Sequence, residues 1–295
     1  MKDKKDKLFF ILISILLLAG IYVGLYPILS DMNNTMDQKD IILSYNNDII
    51  NLSDEAIAEE FAKCHAYNEK LYDKWKTSIF QYQGSKKTDE EYESLLNTRQ
   101  TMGYVNIPSI NVNVPIVHGT KDDDLDSSAG HLYQTSLPVG GNNTKAIIAA
   151  HTGLPSARLF SDLDKMKVGD YFYIHVLNKT LCYQVTEINI CMPEEEFHYM
   201  QIEEGRDLCT LYTCTPYGIN DHRLIITGEH RESMDTTDIK NITDENIETQ
   251  TDNSKMKVKY YIILFSPLAA YGIFLIIFII IKKYKNKNKK KEVIE

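Results

Sequence analysis

Two long uncharged apolar runs bracket the chain. Residues 8–29 read Leu-Phe-Phe-Ile-Leu-Ile-Ser-Ile-Leu-Leu-Leu-Ala-Gly-Ile-Tyr-Val-Gly-Leu-Tyr-Pro-Ile-Leu, and residues 260–281 form the second run. Each is about as long as a bilayer core requires. Between them the spacing of apolar positions changes character. Over residues 53–66, Ala56, Ile57, Ala58, Phe61 and Ala62 interleave with Asp54, Glu55, Glu59 and Glu60. That spacing predicts an amphipathic helix, with Ser53 as its N-cap. A shorter helical pattern follows at residues 92–96. From residue 101 the period shortens toward two. Alternating or β-branched runs at 104–107, 112–117, 146–150, 171–176, 181–190, 208–213 and 224–229 predict seven strands, punctuated by Gly and Pro. Many short strands with few long helices argue for a mainly β domain, a closed barrel or a sandwich.

The chain therefore divides into a basic N-terminus (1–7), an apolar span (8–29), a helical segment (31–100) and a strand-rich domain (101–232). A polar Thr/Asn/Asp linker (233–257), a second span (260–281) and a basic tail (282–295) complete it. About 225 residues lie between the spans, enough for one domain with a real core.

Charge sets the expected topology. Residues 1–7 carry four Lys against two Asp, and residues 282–295 carry seven Lys against two Glu. Lysine-rich flanks hold to the cytoplasm, so both termini are expected inside and the middle outside a cell membrane. A cleaved signal peptide is the competing reading for the first run, although no small-x-small cleavage site follows it. The second run with its basic tail could also be a wall-anchoring signal. The residues before it, Thr251-Asp252-Asn253-Ser254-Lys255-Met256-Lys257, lack the L-P-x-T-G-like pentapeptide such a signal needs. The formal net charge is −9, and the basic ends leave −16 for the remainder. An acidic ectodomain does not suit nucleic acid. It suits basic groups such as a lysine side chain, or simply keeps the domain soluble.

Candidate chemistry sits at three strand ends. Leu208-Cys209-Thr210-Leu211-Tyr212-Thr213 runs into Cys214, turns through Thr215-Pro216-Tyr217-Gly218, and restarts after Asn220-Asp221-His222 with Arg223. The upstream run Ile147-Ile148-Ala149-Ala150 ends in His151. A thiol needs a base and a charge-stabilising partner to become a nucleophile, and these three residue types supply them. Arg223 cannot be the base at neutral pH; its use is as a fixed cation. Of the five cysteines, Cys64, Cys182, Cys191 and Cys209 read as packing residues, with a disulfide between two of them left open. No Cys/His cluster has metal-ligand spacing.

These motifs resemble the sortase transpeptidases. The pattern T-L-x-T-C, an Arg one short loop later and a strand-terminal His about sixty residues earlier carry the likeness. Thr215-Pro216-Tyr217-Gly218-x-Asn220-x-His222-Arg223 and His151-Thr152-Gly153-Leu154-Pro155-Ser156-Ala157 are similar to the pilus-assembling class C branch. The resemblance covers residues 67–229. It implies an eight-stranded β-barrel, here flanked by two transmembrane helices, with Cys214 as nucleophile, His151 as acid and base, and Arg223 binding the substrate backbone or the oxyanion. It implies no metal or organic cofactor. The implied partners are pilin or surface proteins with an L-P-x-T-G-like signal, and an amine acceptor, either a pilin lysine or a cell-wall precursor. A thiol hydrolase and a decayed, non-enzymatic receptor are rival readings. Class C members also carry an Asp-Pro-aromatic lid. The nearest string here is Asp73-Lys74-Trp75, with Phe80 and Tyr82 as further aromatic candidates.

Overall fold

The computed structural model describes residues 2–77, 89–232 and 252–269, with 271–274, 276, 277 and 280. Helix α1 (Lys2–Ile50) carries the first apolar run and continues well past it, with Pro27 inside. Expected to end as a span near residue 29, the helix instead extends over the Asn- and Asp-rich stretch that follows. The reason is tertiary. Ile42, Tyr45 and Ile49 are buried against the barrel. The Tyr45 hydroxyl donates to the Met102 carbonyl and accepts from the Leu177 N–H, at 3.2 and 2.8 Å. Lower on α1, the Gln38 Nε2–H donates to Ser127 O at 2.8 Å. Packing thus overrides a polar sequence that would not hold a helix alone.

Helix α2 (Asp54–Trp75) starts where expected, with the Ser53 hydroxyl accepting from the Ala56 N–H. It runs nine residues beyond the predicted end because Tyr67, Asn68 and Leu71 continue its buried face. A short α3 (Glu90–Ser94) follows, capped by Asp89.

The strands are β1 (Thr101–Ile107), β2 (Val112–His118), β3 (Ala129–His131), β4 (Thr144–Ala149), β5 (Tyr171–Val176), β6 (Lys179–Cys191), β7 (Asp207–Thr215) and β8 (His222–His230). They close into a barrel in the order β1-β2-β3-β4-β7-β8-β6-β5. Seven match the predicted runs. The eighth, β3, has three residues and follows a single-turn helix, α4 (Asp122–Leu125). Three residues give no alternation to read. Pro115 stands inside β2, but the ladder to β3 begins only at Ile116, so its missing N–H is tolerated there. Gly103 is required where β1 crosses β5, since a Cβ would collide with the His175 carbonyl. The barrel interior holds Val105, Ile107, Ile116, Ile148, Phe172, Ile174, Leu211 and Ile226 within one continuous core. Another short helix, α5 (Phe197–Met200), interrupts the connection from β6 to β7.

Among the described residues, one helix segment, Ile11–Ile50, is long and apolar enough to cross a membrane. The second expected span lies partly outside the described residues. Residues 252–269 are helical. Their start is fastened to α1, where Asn253 Nδ2 donates to Met36 O at 3.3 Å and Lys39 pairs with Asp252.

Candidate active site

Two ladders bring the three predicted residues to one end of the barrel. In the antiparallel β7–β8 ladder, Cys214 stands directly opposite Arg223. In the parallel β4–β7 ladder, Ala149 stands opposite Tyr212. That register continues one residue beyond β4, where the Ala150 N–H donates to Tyr212 O at 3.1 Å and the Thr213 hydroxyl donates to Ala150 O at 2.7 Å. His151 therefore leaves β4 alongside the end of β7 that carries Cys214. The loops beyond the strands also meet. A Cβ on Gly153, whose φ is +78°, would lie 3.6 Å from the Gly218 N and from the Tyr217 ring. The loop after His151 is held by Phe160 N–H to His151 O at 3.1 Å and by Gly153 N–H to the Ser161 hydroxyl at 3.0 Å. From outside the barrel, Asn34 of α1 donates to Ser156 O and the Arg158 N–H donates to Asp31, both at 2.8 Å.

Burial separates the cysteines. Cys64, Cys182, Cys191 and Cys209 form no disulfide and are buried, as packing residues should be, while Cys214 forms none and is partly exposed. Burial pushes the Cys64 thiol up to about 12, and pushes Cys209 and Cys191 upward too. Thiols held in that state are poor nucleophiles.

Arg223 is held on two sides. Its Nη1 donates to the carbonyls of Asn220 and His222, at 3.3 and 3.2 Å. Its Nε lies 3.5 Å from Glu196 Oε2 without making a hydrogen bond. The Tyr212 hydroxyl donates to the same Glu196 oxygen at 2.6 Å. Burial by itself would lower the Arg223 pKa. Tyr212, Cys214 and Glu196 around it outweigh that and hold it above the ordinary guanidinium value. The arrangement is a fixed cation beside a partly exposed thiol, with an imidazole at the neighbouring strand end. Its chemistry is thiol attack on a polarised carbonyl.

Glu196 and Tyr212 are absent from the predicted set. Glu196 lies 27 residues before Arg223 in an irregular connection, and no spacing in the sequence pairs them. Tyr212 fills the variable position of T-L-x-T-C and reads as one more strand residue.

The lid candidates divide. Phe80 and Tyr82 lie outside the described residues. Asp73 is exposed on the last turn of α2, and the carboxylate beside Arg223 is Glu196. Trp75 is partly buried. Its indole N–H donates to Gln134 O at 3.2 Å, and its ring stacks on Phe197 at 5.6 Å and 11°. Those contacts pack the end of α2 on the barrel, and Phe197 is the residue next to Glu196. Beside them lies a cavity of about 390 Å³, lined in part by Tyr72, Trp75, Phe197 and Ile202. Among the described residues, no group of His, Cys, Asp and Glu could hold a metal ion.

The family model for the Sortase domain matches residues 105–231. A sortase A of Streptococcus agalactiae is 30% identical over 173 residues, covering 55% of this chain and 68% of that protein. A sortase A of Bacillus anthracis is 27% identical over 135 residues, covering 45% of this chain and 61% of that protein. The chain thus spans about two thirds of the length of these curated relatives. Among solved structures, sortase C-1 from Streptococcus pneumoniae is 40% identical with a TM-score of 0.59, covering 65% of this chain and 98% of that one. Sortase C-1 from Actinomyces oris is 40% identical with a TM-score of 0.55, covering 60% and 98%. A further structure of the Streptococcus pneumoniae sortase C, 38% identical with a TM-score of 0.58 and covering 65% and 96%, is described in terms of catalysis and pilin substrate specificity.

Proposed function

Because the chain belongs to the sortase family, we propose that it is a membrane-anchored cysteine transpeptidase of the class C type, joining pilin subunits. Cys214 attacks the Thr carbonyl of an L-P-x-T-G-like signal and forms a thioester, while His151 protonates the departing amine. Arg223 donates hydrogen bonds to the oxygen on which negative charge develops, where a preorganised cation counts most. A lysine amine of a second pilin then gives up a proton to His151 and attacks the thioester. The new amide forms and Cys214 is released. Atoms balance without a cofactor, since the leaving tail and the incoming amine exchange places on one acyl group.

The observation that carries this reading is the register pairing Cys214 with Arg223, with His151 at the end of the adjoining strand. The sortase C neighbours favour pilin substrates over other surface proteins. The anchor is proposed to have two passes. The first is the apolar part of α1, where large apolar side chains such as Leu16 stand exposed (76%). The second is residues 260–281, entered from the helix that starts against Met36 and Asp40 of α1.

The test is product analysis. The full chain is incubated with a sorting-signal peptide and a lysine-bearing pilin domain. An amide between the two supports the proposal. Release of free acid alone, unchanged by added amine, would assign a thiol hydrolase instead. Transfer to a peptidoglycan precursor amine but not to the pilin would assign surface-protein anchoring.

A further inference from the structure

Arg223 can serve an oxyanion only if its guanidinium is held in place, and the β8 backbone does not do that alone. Two loop carbonyls, of Asn220 and His222, take one edge through Nη1. The first acceptor lies in the exposed turn between β7 and β8, where Tyr217 and Ile219 are 66% and 68% exposed, and the second on the opening residue of β8. A clamp built only on that turn would move with it. The Nε edge faces the barrel wall instead, where it is buried and makes no hydrogen bond. The one carboxylate there, Glu196 Oε2, lies at 3.5 Å, and the Tyr212 hydroxyl holds that same oxygen at 2.6 Å. Tyr212 is itself fixed. It belongs to β7, two residues before Cys214, and packs against the buried cluster of Leu132, Ile147 and Met200. Phe197, beside Glu196, is pinned by its stack on Trp75.

From this geometry, and resting on the role proposed above for Arg223, we infer that Glu196 and Tyr212 are positioning residues that aim the Arg223 guanidinium at the reacting carbonyl. One carboxylate oxygen accepts from the tyrosine hydroxyl and faces the arginine Nε–H, so the rigid wall of the barrel reaches the cation through a single atom. Glu196 also subtracts from the positive field of Arg223, so its benefit comes from orientation and not from charge.

That distinction makes the test. Acylation by a sorting-signal peptide is measured as single-turnover rate in the full chain for Glu196→Ala, Glu196→Gln, Tyr212→Phe and Arg223→Ala, and for Arg223→Ala combined with Glu196→Ala. Glutamine keeps a carbonyl oxygen that can accept from both donors. Glu196→Gln is therefore expected within about 2-fold of wild type, while Glu196→Ala falls about 10-fold, in the acylation rate more than in peptide affinity. Tyr212→Phe should fall about 3-fold, and adding Glu196→Ala to Arg223→Ala should cost nothing more, because residues acting through one group are not additive. A wild-type rate in Glu196→Ala beside a crippled Arg223→Ala would overturn the inference and leave the role of Arg223 standing. A wild-type rate in Arg223→Ala would remove both. Equal losses in Glu196→Gln and Glu196→Ala, or a further loss in the double variant, would show that Glu196 acts through charge or through folding, and would also overturn it.

Discussion

Strands β7 and β8 carry a histidine or arginine and an acid or thiol at each of their two ends, and the two ends have opposite characters. At one end Asp207, which opens β7, meets His230, which closes β8. At the other, Cys214 meets Arg223. The Asp207 carboxylate is saturated. It accepts from the Gly141 N–H at 2.6 Å, from His230 Nδ1 at 2.8 Å, and from the Thr144 and Tyr183 hydroxyls at 3.3 Å each. Its side chain and that of His230 are 11% and 14% exposed. Every lone pair is spent on holding the barrel end shut. At the Cys214 end, among the described residues, no side-chain hydrogen bond engages His151 or Cys214, and the Arg223 Nε–H is unsatisfied. Residue types alone would nominate either end. Unspent hydrogen-bonding capacity next to an accessible thiol picks one.

The largest effect should come from the two cysteines of β7. Cys214→Ala removes the only partly exposed thiol and should abolish both thioester and amide formation while the barrel stays folded. Cys209→Ala, five residues earlier and fully buried, should keep turnover and lose about 1 kcal/mol of stability. Activity in Cys214→Ala with loss in Cys209→Ala would reverse the comparison. Next in size, His151→Ala and Arg223→Ala should each slow acylation by about 10²-fold or more. Arg223→Lys should recover only part of the rate, because a point ammonium cannot reproduce the planar fork facing Glu196 and two carbonyls.

The saturated end predicts the converse. Asp207→Ala strands the Gly141 N–H and the His230 ring, and should cost about 3 kcal/mol in chemical denaturation. The acylation rate of the folded fraction should not change. A specific loss of acylation without a loss of stability would mean that the two ends are coupled.

How much of this could be read from sequence follows from the same contrast. That Cys214, Arg223 and His151 gather at one end of the barrel was legible because each stands at an end of a strong β pattern, and strand ends next to Pro and Gly are where side chains reach solvent. A mainly β domain, barrel or sandwich, was legible from seven runs, and the resemblance implied the barrel; β3 was not legible, because Ala129-Gly130-His131 is too short to show a period. The extension of α1 was hidden by its composition. Only Ile42, Tyr45 and Ile49 hint at a buried face, and the docking bonds of Tyr45 go to residues 57 and 132 positions away. Glu196 was hidden for the same reason, since its neighbours Tyr212 and Arg223 lie on strands 16 and 27 positions away.

Acid should weaken the barrel through its buried histidines. Burial holds His131 down to about 4 and His175 down to about 3, and lowers His118 as well. The neutral His131 ring is satisfied between Ser136 O at 2.8 Å and the Tyr92 hydroxyl at 2.9 Å. An unfolded histidine takes up its proton near pH 6.5. Between about 6.5 and about 4 the unfolded chain binds more protons than the folded one, so stability is full above that window and falls as pH drops through it. Thermal melts from pH 7 to pH 4.5 should show the decline, and His131→Gln should flatten it. An unchanged slope would place the titration elsewhere. The smallest effect concerns the end of α2. Trp75→Ala breaks the stack on Phe197 and should raise the rate of Cys214 alkylation about 2-fold if the docked end of α2 restricts access to the thiol. Equal labelling would mean that Trp75 only packs the helix.

The most direct measurement is mass-spectrometric capture of the acyl-enzyme. The full chain is mixed with a panel of L-P-x-T-G-like peptides, quenched in acid and mapped by proteolysis. The account predicts a mass increase equal to the peptide truncated after its threonine, carried by the fragment containing Cys214 and discharged by added amine. A stable adduct on Cys191 or Cys209, or no adduct with any peptide while Cys214 still reacts with a small alkylating reagent, would contradict it.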